Sequence, residues 1–176
     1  MAGSNSIGVT VTSDRNSSRF SVPENMKYQL DAGHAFDNGL TLGGSFQYTD
    51  PAFSESAIQN LEGTIGYGVP LISGFSVNGS AGIGERWHQS PSTSFPYYVL
   101  RIGLDFAVNR DLTWNVVSYR FRDAFDTSDN YNTPQVATGL TFKLDAQSSI
   151  SAKIMRNWKD GERNSTGVSL GFDKKF

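Results

Sequence analysis

Apolar and polar residues alternate along almost the whole chain. In the closing stretch Val168, Leu170 and Phe172 alternate with Ser169, Gly171 and Asp173, and the chain stops on Phe176. Period-two alternation marks a strand with one apolar and one polar face. The same pattern predicts strands at Ile7 to Thr12, Met26 to Phe36, Leu40 to Thr49, Leu61 to Val69, Phe75 to Ile83 and Tyr98 to Val108. A seventh opens with Leu112, Trp114 and Val116 but continues through Val117, Tyr119 and Phe121 in the opposite phase. One inserted residue, a β-bulge near Val116-Val117, produces such a slip. Val136 to Leu144, Ile150 to Ile154 and the closing stretch bring the number to about ten; eight or twelve follow if the weaker segments are divided differently. The expectation is one all-β domain over residues 1–176, with Met1 to Ser4 set aside as an initiator Met ahead of a mature N-terminus.

The connections alternate too. Asp37-Asn38-Gly39, Ser73-Gly74, Asn109-Arg110-Asp111 and Ala146-Gln147-Ser148 are tight-turn signals, since Asn and Gly tolerate positive φ. Ser13 to Pro23, Thr49 to Ile58, Gln89 to Phe95, Asp123 to Pro134 and Lys159 to Glu162 read as longer polar loops, too short for an elaborate binding head. With an even strand number both termini fall on the tight-turn side. Alternating connections, strands of roughly ten residues and a final aromatic resemble the bacterial outer-membrane β-barrel proteins across the chain. The resemblance to small monomeric porins within them is looser. It implies a single antiparallel up-and-down transmembrane β-barrel whose last strand, ending on Phe176, is read by the outer-membrane assembly machinery.

Alternation alone also describes a soluble barrel with its apolar face inward. Two features favour the inverted arrangement. Apolar-face aromatics cluster near strand ends: Phe36, Tyr67, Phe75, Phe106, Trp114, Phe142 and Phe176 toward the tight turns, Tyr28, Tyr48, Trp87, Tyr98 and Trp158 toward the loops. Such belts suit two membrane interfaces. The opposite face carries Lys27, Asp31, Glu62, Arg101, Asp105, Lys143, Asp145 and Lys153 among Gly, Ser and Thr, as a narrow lumen requires.

Composition narrows the function. A net charge of −2 gives no nucleic-acid footprint, and with no cysteine there is neither a disulfide nor a thiolate metal site. No run of about 18 apolar residues exists for a membrane helix. No signal peptide is visible, so an exported protein would have lost its leader. No metal or cofactor motif stands out. Gly82-Ile83-Gly84-Glu85 lies inside a strand and is not a dinucleotide loop. His34 falls on the lipid-facing phase. His88, at the loop rim with Ser90 and Ser92 near it and Asp50, Glu55, Asp123 and Asp126 in other loops, would suit a rim hydrolase only within hydrogen-bond reach of such groups.

The lumen charges carry the stronger reading. Lys27, Asp31, Glu62, Arg86, Arg101, Asp105, Arg120, Lys143 and Lys153 are the selectivity candidates, with Arg101 expected opposite Tyr119-Arg120 and Lys143 opposite Ser151. The bulge leaves the phase of Arg120 against Arg122 open. The expected function is a monomeric outer-membrane channel for ions or small polar solutes, in contact with lipid and lipopolysaccharide. A sealed structural or surface-interaction barrel is the alternative, followed by an outer-membrane enzyme at the His88 rim.

Overall fold

A computed structural model of the chain describes residues 3–52, 56–129 and 131–176. Ten strands follow one another: β1 (Gly3–Asn16), β2 (Pro23–Phe36), β3 (Leu40–Pro51), β4 (Ile58–Pro70), β5 (Phe75–His88), β6 (Thr93–Ala107), β7 (Leu112–Ala124), β8 (Gln135–Lys143), β9 (Ser148–Lys159) and β10 (Glu162–Lys175). Each pairs antiparallel with its sequence neighbours, and β1 pairs with β10, so the sheet closes into a barrel. Asn5 and Phe176 exchange both backbone hydrogen bonds at 3.0 Å, carrying closure to the last residue. A closed barrel leaves no edge of unpaired backbone groups, the condition for crossing hydrocarbon with strands.

The faces are inverted relative to a soluble barrel. Ile7, Val9 and Val11 on β1, Leu61 and Ile65 on β4, Ile83 on β5 and Leu170 on β10 point outward and are exposed, Leu170 by 67%. Of the described residues that are buried, most are polar: Asp14, Gln47, Thr49, Asn60, Glu62, Arg122, Asn157 and Ser165 among them. Water accounts for neither arrangement. An apolar band around the outside and a polar inside are what a bilayer selects.

Turn chemistry sets the hairpins. Gly39 closes the β2–β3 turn at φ +88, and a Cβ there would lie 2.6 Å from the Gly68 carbonyl oxygen, so only glycine fits. At the β8–β9 turn Asp145 Oδ1 accepts the backbone N–H groups of Gln147 and Ser148, both at 2.7 Å. These bonds hold its carboxyl below the usual carboxylate range. Asp126, which accepts the backbone N–H of Ser128, is lowered in the same way.

The bulge falls at the expected place. Leu104 pairs with Val117 and Asp105 with Asn115, so Val116 is the extra residue. Other expectations need correction. β1 runs on to Asn16 and includes Gly3 and Ser4, which pair with Phe36 and Ala35. The connection after β9 is only Asp160-Gly161, both at positive φ, which is a hairpin turn and not a longer loop. Lys143 pairs with Ser149 and not Ser151, because β8 ends there and Asp145 falls in the turn. Glu55 lies outside the described residues.

Candidate functional site: a charged waist inside the barrel

Inside the barrel two cavities lie one behind the other. The first, about 310 Å³, opens at the loop end among His88, Phe95, Asp129, Tyr131 and Lys159. The second, about 580 Å³, reaches toward the tight turns past Asp31, Asp105, Thr141 and Asp173. Lys27, Gln47, Arg120 and Arg122 line both, and so mark the waist between them.

Glu62, which lines neither cavity, is the hub that holds Arg122 there. Its register position on β4, opposite Ser45 and Gly84, turns it inward, where it is 3% exposed. It pairs with Arg101 through one oxygen and with Arg122 through the other, and it accepts the Tyr97 hydroxyl at 2.9 Å. Tyr97 can lie there because Gly84 has no side chain: a Cβ would meet the tyrosine ring at 2.6 Å. Lys27 is paired with Asp14 at 2.5 Å. Arg120 faces Arg101 across β6–β7 and has no carboxylate partner among the described residues. Its buried Nε and the Nδ2 of Asn60 find no hydrogen-bond acceptor. Donors left unpaired in a polar cavity call for water or an anion.

The β7–β8 connection folds over the mouth. Tyr131 is 5% exposed, packs edge-on against Tyr97 and Phe95, and lies under the Arg86 guanidinium at 4.7 Å. Arg86 also donates to the Tyr131 hydroxyl and to Asn60 Oδ1, each at 3.2 Å. Burial pushes the Tyr131 phenol up, but the nearby guanidiniums of Arg122, Arg86 and Arg120 outweigh it and leave it below its ordinary value.

The structure gathers Lys27, Glu62, Arg86, Arg101 and Arg120 at or beside the waist. Asp31, Asp105 and Lys153 line the second cavity, with Asp105 accepting Asn78 and Asn115 at 2.7 Å each. Lys143 stands exposed at the tight-turn rim and lines neither cavity. Arg101 faces Arg120 as expected, and Arg120 and Arg122, two residues apart, both point inward. The alternation does not single out Asp14, Tyr97 or Tyr131 as site residues. Asp14 continues the polar phase of Thr10 and Thr12, and Tyr97 shares the phase of Val99, so both follow from the repeat once the strands extend to them. Tyr131 sits in a connection with no periodicity. His88 Nε2 accepts Arg86 Nε at 3.0 Å, and no serine or carboxylate among the described residues is hydrogen-bonded to it.

Register places some of the aromatics named from the sequence. Tyr28 pairs with Tyr48 near the loop end, while Trp114 pairs with Phe106 and Leu140 near the tight turns.

The class is therefore a small transmembrane-type β-barrel with a charged interior, and similarity to solved structures agrees. The KdgM porin is 15% identical at a TM-score of 0.55, covering 97% of this chain and 99% of that one. The NanC porin is 9% identical at 0.59, covering 97% and 100%. An outer membrane channel from Pseudomonas putida F1 is 9% identical at 0.56, covering 100% and 96%. At these identities the likeness concerns the fold. No family model and no curated protein matches the sequence.

Proposed function

We propose that the chain is a bacterial outer-membrane channel for passive diffusion of small polar solutes or ions, with a preference for anions. The carrying observation is the waist. Two polar cavities meet at a ring holding three cationic side chains, Lys27, Arg120 and Arg122, of which Arg120 has no carboxylate partner. The loop side faces outward and the tight turns face inward, as in outer-membrane barrels. The barrel works as a monomer, and its β10 strand with Phe176 is the segment presented to the assembly machinery. A rim hydrolase at His88 has less support, since its Nε2 accepts from Arg86 and no serine or carboxylate among the described residues is hydrogen-bonded to it.

A sealed barrel is the second reading, favoured by the Glu62 ion pairs across the lumen and by Tyr131 over the mouth. Single-channel recording of the refolded protein in a planar bilayer separates the two. Discrete steps with a chloride-over-potassium preference support the channel. An inserted, heat-modifiable protein that never conducts refutes it and supports the plug.

A further inference from the structure

The outward face carries a rung of polar residues just above the apolar band on β1, β10 and β9. Arg15 lies opposite Thr166, and Thr166 opposite Arg156. Arg156 Nη1 donates to Thr166 Oγ1 at 2.6 Å, and Arg15 Nε donates to Ser13 Oγ at 3.0 Å. Both partners are neutral hydroxyls, and neither guanidinium has an ion pair among the described residues. With one strand between them, the two arginine backbones stand about 10 Å apart. Most of each five-donor fork is unused.

Beneath this rung the columns turn apolar: Val168 beside Ile154, then Val11, Leu170 and Ala152. An open apolar trough of about 620 Å³ begins there. It starts at Val168 on β10 and Ile154 on β9, on the Arg156 side of the rung, and runs past Ala152 and across Leu140 on β8 to Trp114 on β7 and Val108 at the tight-turn end. Charged forks at the loop end of an open apolar trough are the two halves of a lipid site. Guanidinium forks match phosphate oxygens in shape and charge. A zwitterionic lipid brings its own cation to compensate its phosphate; a phosphorylated sugar head group does not. Two forks about 10 Å apart also suit a head group with more than one phosphate.

We propose that this face binds a phosphorylated glycolipid of the lipid A type from the loop-side leaflet. Its phosphates engage Arg15 and Arg156, and an acyl chain lies in the trough. The inference rests on the reading that the loops face outward. The test is native mass spectrometry of the full-length barrel, folded in detergent and titrated with bisphosphorylated lipid A, dephosphorylated lipid A, phosphatidylglycerol or inorganic phosphate. One lipid A molecule is expected to stay bound. Removing its phosphates, or making R15Q/R156Q, weakens binding by about tenfold or more. A152W, which fills the trough, weakens it independently, and R15K/R156K retains part of it. Heat-modifiable migration is read on every variant to show that it is folded. Equal binding by native and R15Q/R156Q barrels overturns the proposal, as does phosphatidylglycerol binding as tightly as lipid A, or displacement of the lipid by inorganic phosphate. Conductance of the same preparations separates this inference from the channel. A silent barrel that selects lipid A refutes only the channel, and a conducting barrel without lipid preference refutes only this site.

Discussion

Replacing Glu62 with glutamine keeps the side chain's shape and removes the charge that two arginines share. Arg122, itself buried at 4% exposure, loses its only anionic partner among the described residues, as does Arg101. Breaking a buried pair costs about 3–5 kcal/mol. The Arg101 side chain is 31% exposed to the lumen, where water compensates part of its loss, so the lower end, about 3 kcal/mol, is expected. The same change makes the waist one unit more positive. For an ion passing at about 5 Å in water the added interaction is about 0.8 kcal/mol, and screening at 0.1 M salt reduces it to about 0.5 kcal/mol. An anion gains that amount and a cation loses it, so the permeability ratio moves toward anions by about fivefold. Urea unfolding followed by tryptophan fluorescence reads the first effect, and reversal potential across a potassium chloride gradient reads the second. A stability loss below about 1 kcal/mol together with an unmoved reversal potential refutes both the buried hub and its place beside the ion path.

Arg120→Gln should move the reversal potential the opposite way by a similar, roughly fivefold ratio, with little loss of stability because no ion pair is broken. Tyr131→Ala should raise single-channel conductance by opening the mouth; an unchanged unitary step would place the loop away from the path. Leu170→Arg puts a charge on the most exposed of the outward apolar positions of β10 and should cost about 2–4 kcal/mol in lipid vesicles, whereas a barrel not facing lipid would be nearly indifferent. The lowered Asp145 carboxyl contributes stability above the ordinary aspartate pKa of about 3.9 and loses it as pH falls through the lower folded value. Amide exchange at Gln147 and Ser148 should therefore quicken, relative to intrinsic rates, only below that point, and D145A should show the quickened rate at neutral pH.

How much was legible follows the periodicity. Outward and inward phases, the closing strand, the Val116 bulge and the facing of Arg101 and Arg120 come from a two-residue repeat that a bilayer enforces on every strand. Strand ends extend beyond the alternation because a lumen-facing polar residue such as Asp14 looks like loop when its outward neighbour, Ser13, is also polar. The register at Lys143 differs from the expected one by two residues because it depends on where the β8–β9 turn sits. The hub at Glu62 joins residues 35 to 60 positions apart, and only barrel closure brings them together. Tyr131 is placed by packing on Tyr97 and Phe95, which leaves no periodic trace.

Closure has a kinetic consequence. Nine of the ten seams join sequence neighbours, but the last one brings Ser6 to Lys175 and Asn16 to Ser165. Hairpins that form early leave two unpaired margins, which hydrocarbon cannot solvate. Meeting across the whole chain adds the largest loop-closure entropy of the fold. Deletion of β10 is therefore expected to abolish stable insertion, because the nine remaining strands keep two margins that hydrocarbon cannot satisfy.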